Sequence, residues 1–133
     1  MQYRDNQLKE VGKKMRPCPK SPNCVSSLDR DRRHGIEAIA YTGSIGNARE
    51  RLLNILNETD RVQVVSSRSN FIWAESTSFL FRFVDNVEFF FDDRMKIIHV
   101  KSASRVGYYD FGVNRRRLGT IRKRFNQSNN RTN

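Results

Sequence analysis

The sequence is short of the residues that build metal sites, hydrolase elbows and membrane spans. Two cysteines and two histidines stand among its 133 residues. A zinc site would have to gather Cys18 and Cys24 with His34 or His99, and that spacing matches no zinc ribbon or finger. No metal and no cofactor are expected. No run approaches the ~20 apolar residues of a membrane-spanning helix. Met1 to Met15 alternates charge with polarity and lacks the roughly 7–15-residue apolar stretch of a signal peptide. The expected location is therefore the cytoplasm. No Gly-x-Ser-x-Gly elbow, internal repeat or recognised nucleic-acid-binding motif is present. The three prolines all fall between Pro17 and Pro22, so nothing after them forbids regular structure.

What the chain does carry is unevenly placed charge and many phenylalanines. The formal net charge is +11 and the mean hydropathy −0.73. Residues 1–33 hold nine Lys/Arg against four acids, residues 34–112 nine against ten, and residues 113–133 seven against none. The body is near neutral and the ends are cationic. That layout fits an anionic ligand, an anionic surface or an acidic partner, met through an arm or through a basic C-terminal helix. Nine Phe, several in Phe79-Leu80-Phe81 and Phe89-Phe90-Phe91, predict an aromatic core.

Periodicity orders the elements. The proline-rich stretch makes residues up to about 35 an irregular arm, and Ile36–Thr42 alternates loosely as a first strand. Ser44 is a helix N-cap, with Asn47 standing where a capping box would place Glu. Ala48, Leu52, Ile55 and Leu56 then predict an amphipathic helix over 45–58. Strands are predicted at Arg61–Ser67, Phe71–Ser76, Phe79–Val84, Val87–Phe91 and Met95–Ser102, with Asp85-Asn86 either a hairpin turn or a bulge. From Asn114 onward, Leu118, Ile121 and Phe125 fall within about 60° on one helical face. The expected fold is α+β: an antiparallel meander of four to five strands, two helices packed on one face, and an irregular N-terminal arm. Residues 1–15 read as a basic, flexible extension, 16–125 as one domain, and 126–133 as a disordered polar tail.

Three stretches together are more specific: Cys18-Pro-Lys-Ser-Pro-Asn-Cys-Val-Ser26, Phe81-Arg-Phe-Val-Asp-Asn-Val-Glu-Phe89, and the run from Ile98 through Arg105-Val-Gly-Tyr-Tyr-Asp110 to Arg117. In this order they resemble domain of unknown function 1499, a family found in bacteria and plastid-bearing organisms, over residues 16 to 125. The resemblance implies no particular activity. At Asn86 the chain has an amide where the family more often shows a second acid, which weakens any scheme needing adjacent carboxylates there.

The candidate residues form three groups. Cys18 and Cys24 could close a small disulfide loop adding ~2–3 kcal/mol, or remain thiols in a reducing compartment. Arg82, Asp85 and Glu88 lie among phenylalanines, where Glu88 is expected to pair with Arg82 or with Arg105. A raised-pKa general acid or base is the alternative. Ser104, Arg105, Tyr108, Asp110, Asn114 and Arg115 flank a loop with Gly107 and Gly112 that leads into the last helix. They could hold an anion at the helix entrance, or cap the helix while Arg105 pairs with Asp110. The leading expectation is a non-catalytic binding or accessory domain for an anionic small molecule, lipid or acidic partner at this third group. One rival is a small hydrolase using Glu88, His99 and Asp110; another is non-specific nucleic-acid binding through the basic ends.

Overall fold

Alternation of apolar and polar residues over residues 62–104 produces a sheet whose two faces differ sharply in composition. The computed structural model describes residues 15–20, 23–68, 70–80, 82–105 and 112–131. Six strands are present: β1 (Cys24–Ser26), β2 (Ile39–Ala40), β3 (Val62–Arg68), β4 (Phe71–Thr77), β5 (Val84–Asp92) and β6 (Ile97–Ser104). All strand pairings are antiparallel. The order is β1-β6-β5-β4-β3, with β2 also pairing β6. The meander of β3 to β6 agrees with the short connections in the sequence. The two-residue β2 falls within the expected first strand at Ile36–Thr42, while the three-residue β1 is additional; both pair with β6.

Two helices, α1 (Ile45–Asn57) and α2 (Val113–Arg131), cover one face. Ser44 caps α1 as expected, its Oγ accepting from the Asn47 amide at 3.0 Å. Ala48, Leu52, Ile55 and Leu56 of α1 and Leu118, Ile121 and Phe125 of α2 meet Ile72, Val87, Phe89, Phe91, Ile98 and Val100 from the sheet in one core. Arg51 shares the inward side of α1. Its guanidinium lies 4.0 Å from the centroid of the Phe125 ring and donates to the Phe125 carbonyl at 3.1 Å and to Ser128 Oγ at 3.2 Å. These contacts extend α2 to Arg131, so most of the stretch expected as a disordered tail continues the helix.

The opposite, outer face is partly covered by the arm. Cys18 and Cys24 are joined, with their sulfurs 2.09 Å apart, and the Cys18 amide donates to Asp29 Oδ2 at 2.8 Å. Met15 is fully buried with Phe71 and Phe90 on this face, against Leu28 and Trp73. Of the expected 1–15 extension, all but Met15 lies outside the described residues.

Two local expectations are corrected. Asp85 and Asn86 form neither a turn nor a bulge but lie inside β5, opposite Ser104 and Ala103 on one side and Ser76 and Glu75 on the other. The connection between β4 and β5 is instead the preceding segment, where the Ser78 amide donates to the Phe83 carbonyl at 2.8 Å. The Phe83 amide donates back to Ser78 Oγ at 2.9 Å. Phe79 and Leu80, read as core strand because of their β-propensity, are therefore exposed on a braced loop.

Candidate functional site

Strand alternation sends Asp85, Ser102 and Ser104 to the helix-covered face, where a charge needs a partner. The first turn of α2 supplies it. Asn114 is fully buried, and its Oδ1 accepts from Ser102 Oγ at 2.5 Å and from Arg117 Nη1 at 2.7 Å. Its Nδ2 donates to the Asn23 carbonyl at 3.0 Å and to Ser104 Oγ at 3.3 Å. Arg117 Nη2 completes the network with Asp85 Oδ2 at 2.9 Å, both side chains almost buried at 13% and 10% exposed. The network fastens the start of α2 to the sheet and to the segment before β1.

The other described members of the expected anion site point elsewhere. Arg115 donates to the carbonyls of Gly35 at 2.8 Å, Arg33 at 3.1 Å and Arg32 at 3.3 Å, and so caps the 32–35 loop. Arg105 pairs with Glu75 and donates to Asn86 Oδ1 at 2.9 and 3.2 Å, an oxygen that also accepts from Trp73 Nε1 at 3.1 Å. Ser104 and Asn114 thus meet in one buried network, while Arg105 and Arg115 each hold a separate piece of the fold. Tyr108 and Asp110 lie outside the described residues, and with them the Arg105–Asp110 pair.

The outer face carries the remaining candidates. Glu88 stands opposite Lys101 in the β5–β6 register, while Arg82 is an exposed loop residue at φ 58° that makes no ion pair with it. The expected Arg82–Glu88 pair therefore gives way to a cross-strand neighbour, because Arg82 falls in the loop ahead of β5. Glu88 Oε1 is buried without a hydrogen-bond partner. Burial holds the carboxyl above its ordinary pKa, with Lys101 pulling the other way. A proton is thus bound more tightly in the folded chain. The stability this gives is complete below the ordinary carboxyl range near ~4.3 and is lost as the pH rises through the folded value. Glu88→Gln, a neutral isostere, is accordingly expected to raise Tm relative to wild type more at pH 8 than at pH 4. Thermal unfolding at the two pH values checks this, and an equal difference at both would count against it.

His99 lies on the same outer face, its Nδ1 3.1 Å from Ser27 Oγ. Burial holds its pKa below the usual imidazole value, opposed by Asp92. Ser102 and Ser104 occupy the opposite face of β6, so neither can reach His99 as a triad would require. Among the described residues no group of three His, Cys, Asp or Glu is placed to hold a metal ion.

Two depressions flank α2. One, about 510 Å³, has acids and bases in equal number, among them Asp29, Asp31, Glu37, Arg115 and Arg122. Arg115 is committed to backbone carbonyls, and Arg122 meets Glu37 at 3.1 Å. The second, about 550 Å³, lies between the first half of α2 and the adjoining ends of β3 and β4. Among the described residues, Arg61, Arg116 and Arg117 line it against the one carboxylate of Asp60, with hydroxyls such as Thr77 and Thr120 and a wall of Phe79. Arg61 adopts φ 60° and sets its guanidinium 5.5 Å from the centroid of the Phe79 ring. Gly112, at φ 79°, turns the chain into α2 beside it. Sequence reasoning passed over Arg61 as a strand start and Arg116 as a solvated helix face.

A family model described as "Protein of unknown function (DUF1499)" matches residues 14–125. No curated protein and no solved structure matches the chain. No helix among the described residues is long and apolar enough to cross a membrane.

Proposed function

This chain belongs to the DUF1499 family of proteins of unknown function, and within it we propose a non-catalytic anion-binding domain whose ligand seat is the cavity between α2 and the β3–β4 edge. The observation that carries this reading is the cavity lining: three guanidiniums (Arg61, Arg116, Arg117) against one carboxylate (Asp60) in about 550 Å³. Arg117 also serves Asp85, and Arg61 and Arg116 supply the other two guanidiniums of the lining. Their forked donors suit a phosphate or carboxylate. The first turn of α2 carries no acid, so its amides and dipole add to the attraction. Hydroxyls of Thr77 and Thr120 offer neutral donors to the same space.

Isothermal titration with inorganic phosphate and glycerol phosphate, at constant ionic strength, tests the reading. A charge-assisted hydrogen bond contributes roughly 1.5–3 kcal/mol, so Arg116→Ala or Arg61→Ala is expected to weaken binding by about tenfold or more. An Arg116→Ala/Arg61→Ala protein that binds as well as wild type, or a wild type that binds neither anion, would overturn it.

A further inference from the structure

We infer that the anion is presented by a membrane: the Ser78–Phe83 loop docks on a bilayer containing anionic lipid, and the adjacent cavity receives a lipid head-group phosphate. The head-group part rests on the cavity reading above. The docking part rests on the loop.

Phe79 is 76% exposed, Leu80 73% and Phe83 52%, and Val113 at the start of α2 is also exposed. Both Phe79 and Val113 line the cationic cavity, so the apolar tip and the guanidiniums form one surface. The tip is not a frayed strand end. Its base is closed by the reciprocal Ser78–Phe83 bonds, and Arg82 takes the left-handed backbone conformation the turn needs. A fold with a well-filled core that nonetheless displays Phe and Leu on a braced loop has placed them for a partner.

Charge selects the kind of partner. Arg61, Arg82 and Arg116 surround the tip, and Lys123 follows two turns along the same side of α2 as Arg116. Among the described residues that line the cavity, Asp60 is the one acid, and the nearby Glu58 is paired with Arg124. Arginine and lysine stems can lie along the apolar side chains while their charged ends reach lipid phosphates. Aromatic rings favour the boundary between head groups and acyl chains. A protruding apolar tip inside a cationic rim suits a fluid, negatively charged surface. A fixed protein partner would instead need a matching hollow.

The experiment uses the full chain with vesicles of phosphatidylcholine alone or with added phosphatidylglycerol, read by co-sedimentation at about 0.1 M salt. Binding of soluble glycerol phosphate is measured in parallel. Wild type is expected to partition at least ~10-fold better onto the anionic vesicles, and the attraction to weaken steeply with salt. Leu80→Ser/Phe83→Ser, at exposed positions outside the cavity lining, is expected to keep the wild-type Tm and glycerol phosphate affinity while losing about tenfold or more in vesicle partition. Arg61→Ala/Arg116→Ala should lose both. Glycerol phosphate binding with no vesicle binding would overturn the membrane inference and leave the cavity reading standing. Vesicle binding that needs the loop without any soluble-anion binding would sustain the docking surface and remove the cavity reading. Vesicle binding indifferent to the loop variant would overturn the inference, as would finding that the loop mediates self-association in sedimentation velocity and no vesicle binding.

Discussion

Asp85→Ala is expected to lower the free energy of unfolding by about 3 kcal/mol, because it leaves the Arg117 guanidinium nearly buried without its counter-charge. Arg117 would keep its bonds to Asn114 and Ser102, but those neutral acceptors do not replace a carboxylate 2.9 Å away. Asp85→Asn retains an acceptor and should cost less. Replacing both ends, as in Asp85→Leu/Arg117→Met, should restore much of the loss, since well-packed apolar pairs often match a buried ion pair in stability. Urea unfolding read by tryptophan fluorescence and circular dichroism gives the comparison, with m expected to be unchanged. An Asp85→Ala protein within about 0.5 kcal/mol of wild type would show that the network contributes little.

Phe125→Ala is expected to be at least as damaging, at about 4 kcal/mol. The ring is fully buried in the main core and lies against the Arg51 guanidinium at 4.0 Å. Truncation leaves a cavity between α1 and α2 and removes the face on which a half-desolvated cation rests. Burial already depresses the Arg51 pKa, so its environment disfavours the charge and the ring is part of what offsets that. Phe125→Leu keeps most of the volume but not the ring, and should fall between the two. If Phe125→Leu costs no more than an ordinary volume-conserving swap, under about 1.5 kcal/mol, the ring–cation contact adds nothing beyond packing.

The parts of the fold legible in the sequence are those set by neighbours within a few positions. Ser44, the Ala48–Leu56 spacing and the Leu118–Ile121–Phe125 stripe each define a helix face locally. Short turns between apolar runs define the meander. What could not be read depends on partners far along the chain. Asp85 inside β5 makes sense only with Arg117 from α2, so among phenylalanines it looked like a break. β1 is three residues long and gains its strand character from β6. The partners of the residues expected around a ligand are just as distant: Asn114 finds Asn23, Arg105 finds Glu75, and Arg115 finds the 32–35 carbonyls. Conversely, Phe79 and Leu80 have strand-like chemistry, and only the Ser78–Phe83 closure keeps them out of the sheet. The cavity of Arg61 and Arg116 joins residues 55 positions apart, with no local pattern to announce it.

The bonds from Asn114 to the segment before β1 and from Arg115 to the 32–35 loop also constrain how the protein comes into being. Everything between about residue 23 and the last strand can be synthesised while half of the core still lacks its lid, because Leu118, Ile121 and Phe125 follow all the strands in the chain. A chain halted before α2 would display the aromatic inner side of its sheet to solvent or to any chaperone present. Closure of this domain therefore waits on its last helix, which fastens itself to the segment before the first strand.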